Sequence, residues 1–181
     1  MPPMTDIAIR DTEEKDLDAV VALNASEVRH TSQMDEARLR HLDAIASYHK
    51  VAVVDGEVAA FLLAMRDGCG YANENFEWFA ARYPVFLYVD RIVVGSRHRG
   101  LGLGTLLYRD MFDWARANDI ATIACEYNVV PPNEPSRVFH NRFGFHEVGR
   151  QWLDNGAKQV SLQVAATPGV SINPDSARGT G

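Results

Sequence analysis

The sequence predicts a mixed α/β fold, one sheet of about seven strands with helices on both faces. Three observations predict it. Apolar runs of strand length, alternating or continuous, recur along all but the C-terminal end of the 181-residue chain. Two pairs of them are joined by short turns, Asp55-Gly56 and Asp154-Asn155-Gly156, as antiparallel hairpins are. Two amphipathic patterns, one after Gly102 and one after Asn133, stand between strands as crossovers do.

In chain order, Thr5 to Arg10 alternates Ile7 and Ile9 with polar residues and reads as a strand. Asp11 and Glu14 have capping-box spacing and predict a helix from near Thr12, carrying Leu17, Val20, Val21 and Asn24. Ser32 and Asp35 repeat the signal before Leu39, Leu42 and Ile45, and the polar stretch 24–32 between them reads as a loop or helix end. Lys50 to Val54 and Val58 to Met65 form the first hairpin. Tyr71 to Tyr83, with Phe76, Trp78 and Phe79, is too aromatic for an idle linker and predicts a short helix or lid. Val85 to Val94 is nearly continuously apolar, as in a strand buried on both faces, with Asp90 and Arg91 interrupting it on opposite faces. The following helix sets Leu103, Leu106, Leu107, Met111, Trp114 and Ala115 on one stripe. Ile120 to Tyr127 is a further strand. Pro131-Pro132-Asn133 turns into a helix capped by Asn133, with Ser136, Phe139, His140 and Phe143 on one face and Gly144 as its stop. Phe145 to Leu153 and Lys158 to Val164 close the sheet. Residues 1–165 read as a single domain and 166–181, with almost no apolar anchor, as a flexible tail.

Bulk properties exclude several classes. A formal net charge of −6 argues against general nucleic-acid binding. Two cysteines, Cys69 and Cys125, make no disulfide framework, and neither they nor the histidines have metal-ligand spacing. No run approaches the roughly 18 apolar residues of a membrane span, and no secretory signal is read at the N-terminus, so a cytoplasmic protein is expected.

The stretch from Tyr88 to Asn118 organises the rest. A strand runs through the basic, glycine-rich turn Arg97-His98-Arg99-Gly100-Leu101-Gly102-Leu103-Gly104-Thr105 directly into a helix. Glycines let backbone N–H groups approach an anion, and the helix start adds unpaired donors and partial positive charge. The plainer reading is a tight strand-to-helix turn. A Walker loop is excluded because Leu101 and Gly102 follow Gly100 where Lys and Ser/Thr are needed. A dinucleotide fingerprint is excluded because Thr105 stands at its third glycine.

With this element order, the cradle motif Arg/Gln-x-x-Gly-x-Gly/Ala in two overlapping frames, and the Asn133-x-x-Ser136…Gly144-Phe145 helix, the chain resembles the GNAT superfamily of N-acetyltransferases from about Thr5 to Val164. The resemblance implies a mostly antiparallel GNAT-like sheet and acetyl-CoA as co-substrate, with no metal. It implies that Arg97 to Thr105 hold the pyrophosphate and that Ile92, Val93 and Val94 pair with the pantetheine arm. It places Asn133, Ser136, Phe139 and His140 along the cofactor. The acceptor implied is a small amine, an amino acid or a peptide amine, met by Asn24, Glu27, Asn75 and Trp78. Neither nucleic acid nor membrane is expected as a partner, and the exposed edges of an open sheet are compatible with a homodimer.

Acetyl transfer to an amine needs a base for the amine proton and an acid for the thiolate. Asp90, a carboxylate in an apolar strand, is the first candidate base; the alternative is a structural ion pair. Glu126 on the neighbouring strand is the second, or an ordinary strand-end carboxylate, and Glu27 the third. Many family members carry a Tyr in the late helix as acid; here His140 stands there. It either serves the CoA sulfur or bonds a backbone carbonyl, with Tyr88 and Tyr127 as alternative acids. Asn75, Phe76, Trp78 and Phe79 either shape the acceptor pocket or pack the lid onto the core, and Asn24 either meets the acceptor or ends its helix. The rival functions are a non-catalytic acyl-CoA-binding sensor and a nucleotide-binding protein of another class.

Overall fold

The computed structural model describes residues 3–27 and 31–172. The strands are β1 (Ile7–Asp11), β2 (Tyr48–Val54), β3 (Glu57–Arg66), β4 (Leu87–Val94), β5 (Thr122–Val130), β6 (His146–Leu153) and β7 (Lys158–Ala166). The helices among the described residues are α1 (Leu17–Ser26), α2 (Glu36–Ile45), α3 (Glu74–Ala80), α4 (Leu103–Ala117) and α5 (Glu134–Asn141). The strands form one seven-stranded, mostly antiparallel sheet in the order β1-β2-β3-β4-β5-β7-β6. The chain divides into two compact units, the first holding the described residues up to Met65 together with Val89–Asp113, the second the rest.

In the first unit, β1 pairs antiparallel with β2 and β2 with β3 around the Asp55-Gly56 turn. Phe61, Leu62 and Leu63 are all fully buried, so β3 is covered on both faces. The helix expected from Thr12 begins later. A single 3-10 turn over Glu14–Asp16 precedes α1, and Asp11 ends β1. The reason is a competing carboxylate: Asp16 accepts the Glu13 N–H at 2.8 Å and both ends of the Arg10 fork at 2.6 and 2.9 Å. In α2 the cap is Asp35, whose Oδ1 accepts the Arg38 N–H at 2.7 Å. Tyr48 Oη donates to Asp110 Oδ2 at 2.7 Å and Lys50 Nζ lies 2.8 Å from the same oxygen, which fixes the roll of α4 against β2. On α4, Leu106 and Trp114 are only half-buried, and Tyr108 is fully buried in their stead.

His49 shows what this core does to a titratable group. Its Nδ1 lies 2.7 Å from Asp43 Oδ1, while Nε2 is buried with no hydrogen-bond partner. Burial pushes the imidazole down; the Asp43 carboxylate opposes this but is half-exposed and screened. A histidine held below its ordinary value of about 6.5 binds more protons unfolded than folded. Its contribution is therefore complete above about pH 6.5 and is lost as pH falls below that value. The urea midpoint should drop between pH 7.5 and 5.5, and drop less in His49→Phe; an equal drop in both would remove His49 as a cause.

In the second unit, β5 and β6 each pair antiparallel with β7, and β4 runs parallel to β5 at Leu87↔Ile123 and Tyr88↔Ala124. Helix α3 is shorter than the aromatic stretch that predicts it. Asn73 caps it, accepting N–H bonds from Asn75 and Phe76 at 3.0 and 3.1 Å. Tyr71, Phe76 and Phe79 pack around Tyr88, whose ring is fully buried with their centroids 5.7 to 6.4 Å away, and Phe86 packs on Phe76 and Phe79. Trp78 seats on Gly149, where an added Cβ would come within 2.5 Å of the indole. Gly149 and Gln151 thus face α3. Tyr127, which packs against His140 of α5, shares the other face with its register partners Ser161 and Arg150. Helices therefore cover both faces of this half. The expected tail is anchored at its start: Thr167 is buried, its N–H donating to the Ala121 carbonyl at 2.9 Å. Residues 173–181 of that tail lie outside the described residues.

Candidate active site

In the first unit, β4 ends at Val94 and the chain makes a 3-10 turn over Ser96–His98. Gly100 and Gly102 then take φ of +86° and +73°, and nothing lies within 4 Å of the position a Cβ would occupy at either. Both backbones are therefore bare toward open space. The Gly102 carbonyl accepts the Leu106 N–H at 3.0 Å, which leaves the N–H groups of Leu103, Gly104 and Thr105 in the donor-rich first turn of α4. The Leu103 side chain is core and Leu101 is exposed, so the turn offers its backbone rather than these side chains. An oxyanion of a diphosphate fits this donor set. Arg97 and Arg99 both carry carboxylate partners, Glu57 at 3.4 Å and Glu27 at 2.8 Å.

Just upstream lies a network centred on Arg91, which sequence reasoning passed over. Arg91 Nε donates to Asp90 Oδ2 at 2.9 Å, both side chains being 5% exposed. Strand alternation does not keep the two apart, because the long Arg91 side chain reaches back to its neighbour. Nη1 donates to Asn24 Oδ1 at 3.0 Å and to the Ser32 carbonyl at 3.1 Å, and Nη2 to Ser32 Oγ at 3.1 Å. Asn24 Nδ2 closes the ring on the Ser32 carbonyl at 2.9 Å. Asp90 thus takes part in a structural ion pair, and Asn24, fully buried, spends both ends of its amide on this network. An arginine inside an apolar strand was the available signal, since such a charge needs partners.

In the second unit, Tyr88 Oη donates to Glu126 Oε1 at 2.8 Å. The aromatic packing around Tyr88 holds the phenol in place, and the half-buried carboxylate sits two residues beyond the last parallel rung at Ala124. Asn75 is buried, with Oδ1 accepting from Gln151 Nε2 at 3.1 Å. Trp78 is clamped between Gly149 and the Arg82 guanidinium, which lies 3.8 Å from the ring centroid. Both residues hold α3 to β6. On α5, Asn133 Oδ1 caps the Ser136 N–H at 3.3 Å, and Phe139 packs on Phe143. His140 is buried and its Nδ1 lies 2.7 Å from the Ser136 carbonyl, to which it donates. Burial pushes this imidazole below its ordinary range despite that bond, so it is neutral near pH 7. Burial also pushes the Tyr127 phenol up. No group of metal-ligating side chains occurs among the described residues, and no helix there is long and apolar enough to cross a membrane.

A strand feeding a bare, donor-rich turn at a helix start, within a mixed sheet covered by helices, defines an α/β protein whose turn has the chemistry to meet an anion. The acetyltransferase (GNAT) family model matches residues 10–145, and the chain belongs to that family. It is therefore an enzyme, an acetyl-CoA-dependent acyltransferase. Among solved structures it is similar to the ribosomal-protein-S18-alanine N-acetyltransferase from Escherichia coli, with TM-score 0.70, 15% identity, and 94% of this chain and 97% of that one covered. It is also similar to an acetyltransferase of the GNAT family from Streptococcus pneumoniae, with TM-score 0.67, 23% identity, and 89% and 99% covered. A third is Arabidopsis thaliana Naa50 in complex with the bisubstrate analogue CoA-Ac-MVNAL, with TM-score 0.67, 14% identity, and 88% and 97% covered. These likenesses show the fold. Among curated proteins, none is similar enough in sequence to count as a match.

Proposed function

We propose that the protein transfers the acetyl group of acetyl-CoA to a primary amine, of a small molecule, an amino acid or a peptide, by direct attack of the amine on the thioester. The observation that carries this reading is the turn at Gly100 and Gly102, bare of side chains and opening into α4, which suits the pyrophosphate. Amine acceptors are supported by the neighbours, one named for an alanine of a ribosomal protein and one bound to a CoA-Ac-MVNAL analogue. In the reaction the C–N bond forms, the C–S bond breaks, one proton leaves the amine and one reaches the thiolate. Glu126 takes the amine proton, directly or through water, with Tyr88 holding its carboxylate. Asp90 is left to balance Arg91. His140, neutral and donating through Nδ1, orders the α5 helix start rather than supplying the proton.

The test is thiol release from acetyl-CoA in the presence of a panel of amines, from free amino acids and polyamines to short peptides with free N-termini. Amine-dependent release with a mass gain of one acetyl group on the acceptor is expected. Acetyl-CoA binding with no amine-dependent release across the panel would leave a sensor, and absence of acetyl-CoA binding would remove the reading altogether.

A further inference from the structure

Two arginines of the first unit bind residues at and beyond the end of α1, and they bind them differently. Arg91, itself buried, donates to buried Asn24 and to exposed Ser32. Arg99, in the phosphate cradle itself, grips Glu27: Nη2 donates to Oε1 at 2.8 Å, with the Arg99 side chain 64% exposed. The Arg91 network leaves no room for exchange, because removing any member strands a buried charge. In the Arg99 pair the guanidinium is open to solvent while the Glu27 side chain is 17% exposed, so another anion can reach the guanidinium from the solvent side. We propose that Glu27 is an exchangeable counter-ion of the cradle, occupying Arg99 and yielding it to the diphosphate of acetyl-CoA.

The inference rests on the cradle holding that diphosphate, as argued above. A diphosphate is the stronger partner for three reasons. It carries more charge than a carboxylate. It accepts in a forked geometry from guanidinium. It also sits against the bare backbone beside Gly100 and Gly102. The bonds of Arg91 to Asn24 and Ser32 do not involve Glu27. The consequence is that cofactor binding frees a carboxylate at the C-terminal end of α1. Glu27 thereby lowers the affinity for the cofactor in proportion to its own hold on Arg99.

The test is a double-mutant cycle read by calorimetric titration with CoA. Glu27→Gln should tighten CoA binding about twofold to fivefold, the range expected of a half-exposed pair. Arg99→Gln should weaken it, and Glu27→Gln added to Arg99→Gln should change nothing further. If Glu27→Gln helps equally in both backgrounds, the effect is through-space repulsion and the exchange is refuted. Unchanged or weaker binding in Glu27→Gln refutes it as well. CoA failing to bind the wild-type protein would overturn the function reading and this inference together, whereas normal binding that ignores Glu27 overturns the inference alone.

Discussion

Replacing Glu126 by Gln is expected to lower kcat by about 100-fold or more, the usual weight of a positioned base. The substitution keeps the shape of the side chain and an acceptor for Tyr88 Oη, 2.8 Å away, so the fold and the acetyl-CoA KM should be spared. Tyr88→Phe gives the complementary result. The phenol ring stays within its cluster of Tyr71, Phe76 and Phe79, and only the hydroxyl is lost. A carboxylate that loses a donor is less well aimed, so kcat should fall about tenfold with little change in either KM. If Tyr88 were itself the acid for the thiolate, the two variants would instead be equally damaging. Steady-state kinetics with both substrates varied, plus a denaturation curve for each variant, decides the matter. Should Glu126→Gln retain full turnover, Glu126 is a strand-end carboxylate and the base lies elsewhere.

The contrast between Glu126 and Asp90 shows what the sequence holds and what it withholds. Elements with local causes were legible. Asp55-Gly56 marks a hairpin because the turn chemistry lies in the two residues themselves, and β3 and β4 read as buried strands from their nearly continuous apolar runs. The strand–turn–helix around Gly100 and Gly102 was legible for the same reason, since glycines, strand and helix start are contiguous. What was not legible depends on distant partners. The pairing of Asp90 with Arg91 depends on Arg91 being shared with Asn24 and Ser32, roughly sixty residues away in sequence. The packing of Asn75 and Trp78 depends on Gln151 and Gly149, which lie more than seventy residues further along the chain. The α1 start was misplaced because the capping box is formed by Glu13 and Asp16 rather than by Asp11 and Glu14, with Arg10 holding the Asp16 carboxylate in place. Thr167 was assigned to the tail because a single backbone bond to Ala121 has no compositional signal.

Gly102→Val should separate the two things a left-handed glycine does. At φ of +73° any L-residue costs about 1–2 kcal/mol, and a β-branched one lies at the upper end. No protein atom stands within 4 Å of the added Cβ, so the damage to stability stops near that figure. The branched side chain nevertheless projects into the open space over the bare turn, where a phosphate oxygen would have to approach the N–H groups. The KM for acetyl-CoA should rise more than about tenfold, since several charge-assisted backbone bonds are lengthened together. Gly56→Val supplies the comparison. Gly56 lies in the β2–β3 turn at φ of +84°, also with nothing within 4 Å, so the backbone strain is comparable and no cradle is involved. It should lose similar stability by urea denaturation while keeping the wild-type acetyl-CoA KM. Equal KM values for the two valine variants would mean that the cradle glycines merely turn the chain, and the pyrophosphate would have to be sought at another surface of the protein.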